Sequence, residues 1–261
     1  MGKAFAGTVA VIAASSLGLF LARAWIPVAA SAHAPMLDRQ LHWTLIDVGV
    51  VFLISQLALA VFVWKFRTQE RKTKVMPHGI AAAVFASVVF ISLELFSAAT
   101  LGRKAWASMY ESSTPPNAVS VEAVGQQFAF YFRYPGTDGK FGPTHVEKID
   151  PSIGNYFGLD RARDAESKDD LVSAELVLPV NRPVDLVLGA QDVIHGFYVR
   201  ELRIQQDMVP GMRIPVHFTP TKIGRYEIAC TQLCGLGHYR MRAFLNVMSQ
   251  SDFQKWMESH R

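Results

Sequence analysis

Cys230-Thr-Gln-Leu-Cys234-Gly-Leu-Gly-His238-Tyr-Arg-Met241 contains both cysteines of a 261-residue chain, with a histidine and a methionine beside them. Thiolate, imidazole and thioether form a soft donor set that suits copper and suits Mg²⁺ or Ca²⁺ poorly. The second half, Cys234-x-x-x-His238-x-x-Met241, has the spacing of a ligand loop in a mononuclear copper site with an axial methionine. Such a site needs one more histidine from an earlier strand. His195, in Gln-Asp-Val-Ile-His-Gly-Phe, is placed to supply it.

A mononuclear site uses one thiolate, which leaves Cys230 surplus. Two thiolates four residues apart can bridge a pair of copper ions, each completed by one histidine and one weak axial ligand. Sharing one unpaired electron over two metals lowers the geometric change on electron transfer. A disulfide between Cys230 and Cys234 is the plainer alternative, since an exported domain meets oxidising conditions. A bridge closing so short a loop constrains few residues and adds little stability. It also leaves His238 and Met241 without a purpose. Zinc is a third candidate for the same donors.

Charge is unevenly distributed along the chain. Residues 1–104 carry ten Lys and Arg against four Asp and Glu, and residues 105–261 carry sixteen against eighteen. The net charge of +4 therefore belongs to the first part. The second part has no basic stripe with interleaved aromatics, so nucleic acid is not an expected partner.

Residues 4–22 are almost wholly apolar or small, and Ala-Ala-Ser-Ala-His-Ala (residues 29–34) resembles a leader-cleavage sequence. Residues 1–32 are thus expected to be a signal peptide or an extra N-terminal transmembrane helix. Trp43 to Trp64 reads as a transmembrane helix with an interfacial tryptophan at each end. Lys65 to Lys74 carries five positive charges and one negative, which predicts a cytoplasmic loop. A second helix runs from about Gly79 to Leu101 and exits at Arg103, Lys104 and Trp106. Residues 43–104 are therefore read as a hairpin in a bacterial-type plasma membrane, in contact with lipid, with everything beyond on the outer, periplasmic side. Glu94, a carboxylate at membrane depth, and Asp47 are read as structural.

Beyond Ser112-Ser-Thr-Pro-Pro-Asn117 the period changes to two. Val119, Val121 and Ala123 alternate with Ser120, Glu122 and Val124, and Phe128, Phe130 and Phe132 alternate with Ala129, Tyr131 and Arg133. That predicts strands with one buried face. Residues 135–170, rich in Gly, Pro and Asp, read as a long surface insertion. Further strands are expected near 171–178, 184–190, 197–204, 213–219, 224–229 and 241–248, which suggests an all-β Greek-key sandwich or barrel over 117–249. Residues 250–261 read as a helix capped at Ser251. His33, His42, His78, His145, His217 and His260 have no ligand companions at useful spacing and read as ordinary.

The hairpin, the β domain, Asp192-Val-Ile-His195, Asp207-Met-Val-Pro-Gly211 and the cysteine loop together resemble cytochrome c oxidase subunit II. The resemblance implies a cupredoxin-like domain carrying a binuclear copper (CuA) centre. It implies side-chain ligands from His195, Cys230, Cys234, His238 and Met241, and a backbone carbonyl from Gln232. It further implies a role as the electron-entry subunit of an oxidoreductase, taking electrons from a c-type cytochrome or another haem or copper donor. The acceptor would be haem in partner subunit I, where oxygen is reduced. Phe128, in Gly125-Gln-Gln-Phe128-Ala-Phe130, stands where the family has an electron-entry tryptophan. Asp192 and Asp207 become candidates for donor docking. The family's Mg²⁺ site is doubtful, because Gln232 replaces the usual Glu. Met76-Pro-His78 replaces the family's inner Glu. The alternatives are a CuA subunit of a related nitric oxide reductase and a free-standing, membrane-tethered copper carrier. A quinol-oxidase subunit is disfavoured, since all the copper ligands are present.

Overall fold

The computed structural model describes residues 2–22, 26–66, 77–111 and 113–260. The chain forms two compact units, one of Met1–Pro27 with Met36–Lys104, the other of Val28–Pro35 with Ala105–Arg261.

The first unit is helical. Helix α1 is Gly2–Ala22, α2 is Ala34–Phe66 and α3 is Pro77–Ser97. A π-turn at Ala98–Gly102 continues α3 into α4, Arg103–Tyr110, whose residues from Ala105 on belong to the second unit. Three stretches (Ala4–Ala22, Ala34–Lys65 and Gly79–Tyr110) are long and apolar enough to cross a bilayer. Helix α2 begins well before the predicted Trp43, because Pro35 sits in its first turn, where a missing N–H costs nothing, and no breaker follows. Glu94 accepts a hydrogen bond from the Thr44 hydroxyl at 3.3 Å, and the Ser97 hydroxyl donates to Gln40 at 3.1 Å, so polar links join α2 to α3. The expected basic loop lies outside the described residues from position 67 to 76, as does Met76.

The second unit is a β-sandwich. One sheet has the order β3-β2-β1-β5-β8, from Leu171–Ser173, Ala129–Tyr134, Val119–Gln126, Val184–Ala190 and Ile214–Phe218. The other has the order β4-β10-β9-β6-β7, from Leu176–Pro179, Arg242–Met248, Gly224–Ala229, His195–Val199 and Ile204–Met208. The sheets meet through buried side chains such as Phe130 edge-on to Phe197, and through the Tyr134 hydroxyl, which donates to the Val177 carbonyl at 3.0 Å.

Several expectations are corrected. The strand expected over 171–178 is two strands in different sheets, parted by a bend after Ser173. The strand expected near 197–204 is β6 followed by a separate β7, because a tight turn ends at Arg203 with left-handed backbone (φ 58°). The terminal helix, α5, is Gln250–Ser259, and its cap is Ser249, whose hydroxyl accepts from the Asp252 N–H at 3.2 Å.

Residues 135–170 are more than a surface insertion. Phe157 and Leu159 pack with Val124, against Tyr131, Tyr156 and Val172, on the face of β1 and β2 that period two assigned to solvent. Arg133 is consequently fully buried. Its guanidinium donates to Asp170 and Glu122 and, at 2.6 Å, to the Gly142 carbonyl. Asp170 also accepts the backbone N–H groups of Gly136 and Gly142 at 3.1 Å. A charge under a loop is tolerable only when paired and hydrogen-bonded in this way.

The segment Val28–Pro35 belongs to the β unit. The Ala30 N–H donates to the Glu201 carbonyl (2.8 Å), Ala32 N–H to Thr219 (3.0 Å), and Thr221 N–H to the Ala30 carbonyl (2.8 Å). The Ser31 hydroxyl donates to the Leu202 carbonyl at 2.8 Å. Small residues are what such a flat strap requires, and Ala30, Ser31, His33 and Ala34 are all buried.

Candidate metal centre

His195 opens β6, and its strand is fixed in register against β7, where it faces Met208. The ring is fully buried. Its Nε2 lies 2.8 Å from Asp192 Oδ1, while Nδ1 has no hydrogen-bond partner among the described residues. A carboxylate beside Nε2 holds the proton there and leaves the Nδ1 lone pair available. Gly125 lets the ring close on β1, since a Cβ at 125 would lie 3.0 Å from His195 Cδ2.

Burial pushes the pKa of Asp192 up, but the His195 ring and the backbone N–H groups of Gln127 and Val193 outweigh it and hold the carboxyl below its usual range. The Gln127 N–H donates to Asp192 Oδ2 at 2.8 Å, and the Gln127 amide donates to the Cys234 carbonyl at 2.5 Å. Gln127 thereby ties the histidine's support to the cysteine loop.

That loop joins β9 to β10. The Cys230 N–H donates to the Met241 carbonyl at 3.2 Å and the Thr231 N–H to the Gly196 carbonyl at 3.3 Å. A side chain at 196 would overlap Thr231, so glycine is required where the loop crosses β6. The single turn His238–Arg240 then brings His238 and Met241 back toward the cysteines. Cys234 Sγ is 3.8 Å from Cys230 Sγ, 3.7 Å from His238 Nδ1 and 3.7 Å from Met241 Sδ. Cys230 Sγ is 3.2 Å from the Gln232 carbonyl oxygen. A ring nitrogen of His195 and the two sulfurs lie within 4.8 Å of one another.

Both cysteines are free thiols, and their separation excludes a bond between them here. Burial, reinforced by the neighbouring Cys230, pushes the Cys234 thiol up to about 11. Two adjacent buried thiols and an unpartnered imidazole nitrogen fit a soft cation that neutralises the thiolates.

Phe128 lies over the loop. Its ring occupies the space that a Cβ at Gly237 would fill and touches Gly235 as well, while remaining partly exposed. Around it Leu233 is 85% exposed, Leu236 97% and Tyr239 78%. Asp207 accepts from the Gln232 amide at 3.0 and 2.9 Å.

Residues 119–248 match the family described as "Cytochrome C oxidase subunit II, periplasmic domain". An alternative cytochrome c oxidase subunit 2 of Bradyrhizobium diazoefficiens is 33% identical over 240 residues, covering 91% of this chain and 84% of that relative. The chain belongs to the cytochrome c oxidase subunit II family. A cytochrome c oxidase subunit 2 of Cereibacter sphaeroides is 24% identical, covering 85% of this chain and 76% of its own length. A crystal structure of the periplasmic domain of subunit II (CoxB) from Bradyrhizobium japonicum shares 25% identity. It covers 57% of this chain and 96% of that one, with a TM-score of 0.42.

As a subunit II, the chain is the electron-entry subunit of a haem–copper oxidase, an oxidoreductase complex, and its β-sandwich is the cupredoxin-like domain of that family. Membership favours this role over a nitric oxide reductase subunit or a free copper carrier. The apolar helices make it membrane-anchored.

The structure brings His195, Cys230, Gln232, Cys234, His238 and Met241 into one cluster, and places Phe128 against its loop. Asp192 and Asp207 are turned into the site's own hydrogen bonds. Sequence reasoning missed Gln127, Gly125 and Gly196. Gln127 was visible only as the neighbour of an aromatic strand, and the glycines' roles depend on contacts across sheets. Among the other histidines, His145 pairs with Asp164 at 2.8 Å and His33 with Ser31 at 3.2 Å.

Proposed function

We propose that this chain holds a binuclear copper centre through the side chains of His195, Cys230, Cys234, His238 and Met241 and the backbone carbonyl of Gln232. A bound copper pair supplies rapid one-electron storage, the chemistry by which a c-type cytochrome outside the membrane can reduce a haem in subunit I. The observation that carries the reading is the buried cluster of two free thiols with a ring nitrogen of His195, whose Nδ1 has no hydrogen-bond partner among the described residues.

The chain's own residues prepare that site. Asp192 fixes the His195 tautomer and ring plane. The β-sandwich holds His195 rigidly, while the loop from Cys230 to Met241 delivers the remaining donors. Phe128 covers part of the loop and limits water access at its surface. The exposed apolar side chains of Leu233, Leu236 and Tyr239 suit burial against a partner subunit. Residues 43–104 serve as anchor, 117–249 as the copper domain and 250–261 as its terminal helix. The basic composition of Lys65–Lys74 supports placing the copper domain outside. Of residues 1–32, those up to Pro27 enter as leader or extra helix, while the rest belong to the strap on the β unit.

A Mg²⁺ beside Gln232 is not part of this reading. Its amide donates to Asp207, so the position offers a donor where a hard cation needs carboxylate oxygen.

Metal analysis of the purified complex tests the assignment. Two coppers per chain, in addition to any copper of the partner subunit, are expected. One copper, or zinc in its place, contradicts it.

A further inference from the structure

We infer that Asp207 is a positioning residue for the copper centre, acting through the Gln232 side chain to fix the direction of the Gln232 carbonyl. This rests on the copper assignment above.

Gln232 lies midway between the two cysteines, in a segment outside both sheets. Its carbonyl oxygen approaches Cys230 Sγ at 3.2 Å, so it would be at hand to a metal held by that thiolate. Among the described residues no strand ladder holds that peptide plane. What the structure provides is the side chain: Gln232 Nε2 donates to both oxygens of Asp207, at 3.0 and 2.9 Å. A hydrogen bond to a charged acceptor is among the stronger ones.

Asp207 is itself anchored. It lies on β7 directly opposite Gly196, the residue after His195 on β6. The same strand pair therefore fixes the ring of His195 and, through one side-chain contact, the carbonyl of Gln232. The loop is also pinned to β6 by the Thr231 N–H on the Gly196 carbonyl.

The identity of residue 232 matters to this arrangement. A carboxylate there would face the Asp207 carboxylate and repel it. An amide turns the same juxtaposition into an attraction that needs no intervening cation. A weak oxygen donor at the metal would adjust how far the oxidised ion is stabilised. Freeing the carbonyl weakens its donation, which favours the reduced ion and raises the potential.

The assembled, copper-loaded complex is compared as wild type, Asp207→Ala, Gln232→Ala, the double variant and Asp207→Asn. Midpoint potential and copper hyperfine splitting are read, with melting temperature and copper content as folding controls. Each alanine variant is expected to raise the potential and alter the splitting, the double variant to match the singles, and Asp207→Asn, which keeps an acceptor, to fall between. Non-additivity of this kind identifies one coupled contact. Gln232→Ala is decisive, because it changes no charge.

An unmoved potential and splitting in Gln232→Ala, or additive shifts in the double variant, overturns the inference. If the alanine variant fails to assemble, Gln232→Met keeps the side-chain length without the N–H donors and is read by the same criteria. Absence of a paired-copper signal in the wild type would instead remove the copper assignment itself.

Discussion

Asp192 Oδ1 lies 2.8 Å from Nε2 of His195, a ring clustered with two buried thiols, and Nδ1 has no hydrogen-bond partner among the described residues. The carboxylate thus selects which nitrogen keeps its proton. Asp192→Asn leaves the ring in place but weakens that selection. Loss of such a supporting partner typically lowers metal affinity about 10- to 100-fold. A chelator competition on the full chain should show a loss in that range, and unchanged affinity would contradict the role.

The contact between Phe128 and Gly237 sets a second expectation. A methyl group at 237 would overlap the ring, so Gly237→Ala must displace either the ring or the loop. Overpacking of this kind costs about 1–3 kcal/mol. Copper release to a chelator is expected to accelerate. Adding Phe128→Ala restores the space and should slow release again. Equal release from Gly237→Ala and wild type would show that the ring yields freely.

Both effects depend on residues whose role was hidden in the sequence. The ligand loop was legible because two cysteines, a histidine and a methionine fall at fixed spacing within one segment. The strands were legible where only one face is buried. Glu122 and Arg133 defeated that pattern, since residues 135–170 fold over the second face and convert a solvent position into a buried ion cluster. Gln127, in the turn between β1 and β2, and Gly196, on β6, act on the loop from positions distant in sequence, so no local period or motif marks them. Asp207 was visible as a motif residue, but its contact with Gln232 depends on the pairing of β6 with β7.

The buried ion cluster gives a stability prediction. Asp170→Ala leaves the Arg133 guanidinium buried with one carboxylate fewer and removes the acceptor for two backbone N–H groups. Breaking one side of a buried pair costs about 3–5 kcal/mol. Denaturant unfolding should show a loss of that order. A loss below about 1 kcal/mol would mean that water reaches the cluster.

The strap at Val28–Pro35 is sensitive to pH through His33. Burial, with the Arg203 cation adding to it, lowers the imidazole's affinity for a proton, against the opposing pull of the Leu202 carbonyl. The folded value lies below the unfolded one near 6.5. The strap's contribution is therefore fully present above about pH 6.5 and declines as pH falls toward the lowered folded value. Hydrogen exchange of the Ala30 and Ala32 amides should quicken between pH 7 and pH 5 relative to the intrinsic rate. In His33→Gln that extra acceleration should disappear. Persistence of the acceleration in His33→Gln would place the sensitivity elsewhere.

The central claim is that Cys230 and Cys234 together hold a pair of copper ions. Electron paramagnetic resonance of the oxidised, copper-loaded chain, recorded for wild type and Cys230→Ser, tests it most directly. Wild type should give hyperfine structure from one electron shared equally over two coppers, and Cys230→Ser should give the pattern of a single copper. An identical spectrum from both proteins, or a single-copper pattern in wild type, would contradict the account.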